Sequence, residues 1–236
     1  MMVPLGNVLF RTRNFVFPFA YLTAFLPGPL IAESDLVAAL LGLVVTLAGQ
    51  LVRAGTIGLA YIVRGGKNRQ VYAQDLVTEG VFAHCRNPMY VGNLLILAGI
   101  AITSNSWTSV LVMVPAALFT YRAIVAAEEN YLRGRFGAAF DEYCARVPRF
   151  IPKLSGIRET FAAMDFRWRR LLVKEYGTTF AWVMGWCAIV AYSLWRHGDL
   201  AAHPVAVAAL QAVAAAAIVG WAIARYLKKS RRLVAD

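Results

Sequence analysis

The chain has 236 residues, 59% of them hydrophobic and only 16% charged, with a mean hydropathy of +0.57 and a formal net charge of +11. A soluble domain carries about a quarter charged residues, so this composition excludes an ordinary soluble globular fold and points to several membrane-crossing helices. The basic excess would suggest nucleic acid in a soluble protein, but in a membrane protein Lys and Arg collect in cytoplasmic loops. No nucleic-acid partner is expected.

A bilayer core about 30 Å thick needs about 20 apolar residues per helical span. In chain order, six segments qualify: roughly 14–32, 36–63, 89–104, 107–126, 177–196 and 204–226. The first follows Arg11 and Arg13, as a signal peptide would, but it has no small-x-small cleavage site and holds Pro18, Pro27 and Pro29. It reads as a retained helix or re-entrant hairpin. The second carries a lone Arg53, a charge whose cost at that depth favours a place facing the protein interior or a polar cavity. The third and fourth meet at Thr103-Ser104-Asn105-Ser106, a tight polar turn, and form a helical hairpin. The expected fold class is therefore all-α, a polytopic bundle of about six spans with a cytoplasmic helical and loop cap.

Basic residues fix the orientation. Arg11 and Arg13 precede the first span, and Arg64, Lys67, Arg69 and Arg86 lie between the second and third. Ten more, from Arg133 to Lys174, follow the fourth span, and Arg225, Lys228, Lys229, Arg231 and Arg232 close the chain. The alternate loops, around Glu33-Ser34-Asp35, residues 104–106 and Gly198-Asp199, are nearly bare of them. Six spans with both termini cytoplasmic satisfy this pattern, as in a bacterial inner membrane.

Two cytoplasmic stretches are too polar to span and are strongly patterned. In 70–90, Asn87 suits a helix N-cap and Pro88 the first helical position, while Arg86 and Tyr90 have no such local explanation. In 121–152, Leu132, Phe136, Phe140 and Tyr143 recur at helical spacing opposite Arg133, Arg135 and Asp141, as in an amphipathic helix lying on the membrane surface. Glu128 and Glu129 stand where the fourth span leaves the bilayer. Adjacent helical residues point about 100° apart, so one of the two faces inward and needs a cation, from a ligand or from Arg122 or Arg133. Cys85, Cys144 and Cys187 have neither disulfide nor metal-ligand spacing, and no metal is expected.

Taken in order, a Gly, Arg-Asn-Pro-x-Tyr and a span, then Glu-Glu, Phe-Gly, Tyr and Val-Pro-Arg-Phe-Ile-Pro resemble one family over roughly residues 40–152. It is the isoprenylcysteine carboxyl methyltransferase and phospholipid methyltransferase group of integral membrane enzymes. The resemblance implies S-adenosyl-L-methionine as methyl donor, bound on the cytoplasmic side. It assigns donor binding to Gln74, Leu76 and Val77 of the Gln74-Asp75-Leu76-Val77 stretch, to Phe82, to Arg86, Asn87, Pro88, Met89 and Tyr90, and to Glu128. It implies a methyltransferase core over 35–152, after an N-terminal membrane helix or hairpin (1–34) and before a linker and two-span extension (153–236).

Gln74 and Asn87 stand where many members have His. Ile124 stands where eukaryotic carboxyl methyltransferases carry a substrate-binding Arg, leaving Arg122 as the nearest guanidinium. Arg122 and Glu128 are the expected catalytic pair, acting on a lipophilic, membrane-embedded acceptor by carboxyl O-methylation, or alternatively on an amine or phenol. Two rival readings are an NADPH-dependent membrane reductase related to sterol reductases, using Arg133, Arg135, Arg146 and Arg149 for phosphates, and a non-catalytic membrane scaffold. The chain has no Gly-x-Gly for a soluble-type dinucleotide site.

Overall fold

A computed structural model of the protein describes residues 1–59, 64–67, 70–73, 75–198 and 201–234. Among the described residues there are eight α-helices: α1 (Met2–Leu22), α2 (Asp35–Leu59), α3 (Pro88–Thr103), α4 (Trp107–Phe136), α5 (Ala138–Arg146), α6 (Ile157–Ala162), α7 (Trp168–Arg196) and α8 (Pro204–Lys229). A short antiparallel ribbon, β1 (Arg64–Lys67) with β2 (Gln70–Ala73), follows α2, a feature not expected from the sequence. Four helices, α2, α4, α7 and α8, are long and apolar enough to cross a membrane, and α3 is a shorter apolar helix. The chain is an integral membrane helical bundle.

The first expected span is displaced. The helix starts at Met2 and ends at Leu22, so Pro27 and Pro29 fall in the non-helical connection to α2, where a missing N–H and a fixed φ cost little. Pro18 stays inside the helix. α4 continues as helix to Phe136, well past the apolar stretch, and so carries Glu128 and Glu129 on regular helical geometry. Gly137, at φ 53°, then breaks the chain before α5, so the pattern of Leu132, Phe140 and Tyr143 does not belong to one surface helix. These three, with Val147, fold onto one another as a buried cluster.

Small residues set the tightest helix contact. Gly42 and Gly49 of α2 face Gly99 and Gly92 of α3; a Cβ on Gly49 would lie 2.6 Å from Gly92 O, and one on Gly99 2.5 Å from Gly42 O. The two backbones therefore touch, the usual route to close packing where lipid removes any hydrophobic drive between helices. At the end of α3, Asn105 (φ 51°) makes the tight turn to α4 and is fully buried. Its side-chain carbonyl accepts the N–H groups of Ile31 and Ala32, and its amide donates to Asp35 Oδ1 at 2.7 Å. The polar turn of the hairpin thus also holds the chain entering α2.

Arg53 faces the interior, as its position predicts. It is 7% exposed and donates from Nε and Nη2 to Glu175 of α7, at 2.9 and 2.5 Å, and from Nη1 to Asn93 of α3. Gln50 donates to the same carboxylate, and Trp182 Nε1 donates to Gln50 Oε1 at 2.9 Å. Each charged group is hydrogen-bonded, which a buried ion pair needs to offset its desolvation. Replacing Arg53 by Met should lower stability in detergent by about 3–5 kcal/mol, since Glu175 is left charged and buried, whereas Arg53→Met with Glu175→Met should recover most of it. Thermal unfolding of the two variants checks this; equal losses would contradict the pairing.

Candidate functional site

The stretch 79–90 makes a 3-10 turn over Gly80–Ala83 and enters α3 through Pro88 at the first helical turn. Asn87 does not cap α3 with its side chain. Its amide donates instead to Arg149 O at 3.1 Å, while its backbone carbonyl accepts the N–H of Tyr90 and of Val91. The reason lies in the partner strand of chain, residues 143–153, which runs against it. Arg86 N–H donates to Pro148 O, Lys153 N–H donates to His84 O, and Tyr143 Oη donates to Phe82 O at 2.8 Å. His84 is buried between Lys153 O and the Thr160 hydroxyl, 2.8 Å from each. The two polar stretches singled out in the sequence form one cap.

Glu129 holds that cap to α4. Its carboxylate meets Arg86 Nη1 at 3.0 Å and takes Arg149 side-on, with Nε and Nη2 at 3.0 and 2.5 Å. Glu129 is 5% exposed, so it does not face the head groups, and its partners are neither Arg122 nor Arg133. Arg133 binds Asp141 at 2.7 Å on the surface.

Glu128, one residue earlier and also 5% exposed, points elsewhere. It accepts a 2.7 Å hydrogen bond from Tyr90 Oη and lines a cavity of about 860 Å³. Phe82, Arg86, Asn87, Pro88, Met89 and Tyr90 line the same cavity, so seven of the residues assigned from sequence converge on it. Three do not, and Gln74 lies outside the described residues. Leu76 packs on the cap cluster beside Leu132 and Tyr143, Val77 is half-buried away from the cavity wall, and Arg122 is exposed on α4.

The cavity also holds residues that sequence reading left unassigned: Arg13 and Tyr21 from α1, Asn93 from α3, Tyr121 from α4, and Gly177 and Trp182 from α7. Their signals were faint. Arg13 reads as an orientation charge, and Trp182 as one apolar residue among many. The lining combines ionic groups (Arg86, Glu128), hydroxyls and an amide (Tyr90, Tyr121, Asn93) and apolar residues (Ile96, Leu97, Pro18). Such a lining can take both a charged polar molecule and a chain-like apolar one.

Residues 36–139 match the family described as phospholipid methyltransferase. This part of the chain is similar to that family. Among curated relatives, the chain is 34% identical over 109 residues to the cobalt-zinc-cadmium resistance protein CzcN of Cupriavidus metallidurans, covering 46% of this chain and 48% of that one. It is 29% identical over 150 residues to the nickel-cobalt-cadmium resistance protein NccN of Alcaligenes xylosoxydans xylosoxydans, covering 62% and 65%. It is 29% identical over 102 residues to the protein-S-isoprenylcysteine O-methyltransferase of Schizosaccharomyces pombe, covering 43% and 42%. The matches thus span about half to two thirds of the first relatives' own lengths. No solved structure matches the chain. The phospholipid methyltransferase segment supplies α2, α3, α4 and the Arg86–Tyr90 stretch; α1, α7, Tyr143 and Arg149 lie outside it.

Cys85 reports on the cap. It is 2% exposed beneath Arg149 O and Phe150 O, and burial pushes its thiol pKa up, so it should react slowly with maleimides. Glu129→Gln weakens both guanidinium contacts and should raise Cys85 labelling several-fold, while Glu128→Gln leaves it protected. Mass mapping of labelled cysteines distinguishes the two; equal protection would contradict the assignment of Glu129 to the cap.

Proposed function

We propose that the protein is an integral-membrane methyltransferase that uses S-adenosyl-L-methionine to methylate a hydrophobic acceptor drawn from the bilayer. The observation that carries the reading is the convergence of Phe82, Arg86–Tyr90 and Glu128 on one cavity that Ile96, Leu97 and Ile124 also line. The family segment and the O-methyltransferase named among the relatives support it.

The residues present fit that donor. Glu128 is a buried carboxylate facing the cavity, suited to an ammonium. Arg86 Nε is buried without a hydrogen-bond partner among the described residues, suited to a carboxylate. Phe82 and Met89 offer apolar wall for an adenine. When bound, the donor supplies an electrophilic methyl on a sulfonium. What this chain would contribute is alignment of donor and acceptor in one cavity, which can account for most of the acceleration when little acid–base work is needed. Tyr90 orients Glu128 through its hydroxyl, and Glu129 keeps Arg86 in place from behind. Carboxyl O-methylation is the favoured outcome, in keeping with the name of the yeast relative. Arg122, exposed on α4, is not assigned a role in the cavity.

Two of the four guanidinium groups that an NADPH site would use are engaged elsewhere: Arg149 on Glu129 and Arg133 on Asp141. Two relatives are named for metal resistance, but among the described residues no three His, Cys, Asp or Glu are grouped to hold a metal ion.

Adenosylhomocysteine should raise the melting temperature of the purified protein, by about 2.7 kcal/mol of linkage at a hundred times its Kd. Glu128→Gln should weaken binding by roughly ten- to a hundred-fold, the cost of about 1.5–3 kcal/mol for one charge-assisted hydrogen bond. Calorimetric titration checks both, and no binding by folded wild-type protein at millimolar ligand would defeat the reading.

We further propose that both termini face the cytoplasm, from the Lys and Arg distribution. In intact cells a cysteine placed at exposed Ser34 should label from outside, and one at exposed Ser230 only after permeabilisation. The reverse pattern would contradict the topology.

A further inference from the structure

Among the described residues three guanidinium groups line the cavity, and two are accounted for. Arg53 is held by Glu175 and Asn93, and Arg86 by Glu129. Arg13, half-buried on α1, stands differently: among the described residues it makes no hydrogen bond or ion pair, and its guanidinium lies 4.3 Å from the centre of the Phe10 ring.

Its depth follows from how α1 lies on α4. Gly6 sits against Ala123 and Ala127, where a methyl would overlap Ala123 O, and near the other end Ser109 Oγ donates to Thr23 O at 2.9 Å. The two helices therefore run antiparallel. Arg13, about 10 Å along α1 from Gly6 at 1.5 Å per residue, comes level with the α4 turn just before Tyr121. Tyr121, Arg53 and Arg13 line the same cavity. Tyr121 in turn stacks at 5.0 Å on Tyr90, the residue that holds Glu128. Tyr90 lies nearly two turns before Ile96 and Leu97 along α3, and Arg13 lies just over one turn before Pro18 along α1, so within this cavity Arg13 falls between the Glu128 side and these apolar residues. A cation at such depth is costly unless an anion meets it.

We propose that Arg13 is the acceptor-recognition residue, binding the anionic head group of a lipid whose chain lies along Ile96, Leu97 and Pro18. This rests on the methyltransferase reading of the same site. It places acceptor selection on α1, outside the family segment 36–139, and gives the task to a different helix from the one where Ile124 leaves no charge. The acceptor class is an amphiphile with a carboxylate, its charge set one stacked tyrosine pair away from Glu128. A neutral amine or phenol would leave Arg13 unanswered.

The test uses the full chain in detergent, with palmitate as the anionic probe and methyl palmitate as its neutral counterpart. Adenosylhomocysteine is titrated in parallel. Wild-type protein should bind palmitate at least ten-fold more tightly than the ester. Arg13→Gln should abolish that preference, Arg13→Lys should keep most of it, and both variants should bind adenosylhomocysteine as the wild type does. Equal binding of the two probes by wild type, or an undiminished preference in Arg13→Gln, overturns the proposal. If Arg13→Gln does not fold, retention of the preference by Arg13→Lys and its loss in Arg13→Met decide in its place, and a preference surviving in Arg13→Met overturns it. Loss of adenosylhomocysteine binding in the wild type would instead strike the methyltransferase reading, leaving the probe preference to stand or fall by itself.

Discussion

The site depends on a carboxylate clamped between two guanidiniums. Glu129 is buried near the end of α4, and a charge there is tolerated only if it is paired and hydrogen-bonded. Arg86 and Arg149 satisfy it from two segments far apart in sequence, and so draw residues 82–90 and 143–153 together over the end of the helix. Removing either guanidinium would leave charge exposed to a low dielectric, so the cap is closed by necessity rather than by apolar contact alone. Because successive residues on a helix diverge by about 100°, anchoring Glu129 to the cap also fixes where Glu128 points. It faces the cavity, held by Tyr90. One Glu secures the lid of the site and its neighbour furnishes the interior.

Deeper in the bundle a second buried pair has a different task. Arg53 and Glu175 join α2 of the family segment to α7 outside it, and Asn93, Gln50 and Trp182 complete the network. The pair sits where the cavity wall passes from α3 to α7, so Trp182 and Gly177 line the same space as Arg53. The C-terminal helices are therefore part of the site's wall. The backbones of α2 and α3 touch where the four glycines face each other, and the cavity is lined from α1, α3, α4 and α7, with Arg53 of α2 in its wall.

Much of this was legible in the sequence, and for identifiable reasons. Apolar run length marks α2, α3, α4, α7 and α8 because a bilayer fixes helix length. The polar turn at 103–106 could be read because Asn105 tolerates positive φ. The interior place of Arg53 followed from the cost of a lone charge. What escaped was pairing at long range. Nothing local connects Arg53 to Glu175, 122 residues apart, or Glu129 to Arg149. The helical spacing of Leu132, Phe136, Phe140 and Tyr143 was real, but one glycine broke the helix and turned a supposed surface helix into a buried cluster. The Asn87 side chain, expected as a cap, found a better-placed carbonyl in Arg149. Leu76 and Val77, assigned to the donor by resemblance, support the cap or lie beside it.

The central claim is that the donor lies between the Arg86–Tyr90 stretch and Glu128, beneath the cap. Photolabelling of the purified protein with methyl-tritiated adenosylmethionine, competed by unlabelled adenosylhomocysteine and followed by peptide mapping, tests it most directly. The label should fall on peptides containing residues 82–90 or 121–132 and should vanish with competitor. Competed label confined to α8, or label at these peptides that competitor does not remove, would contradict the account.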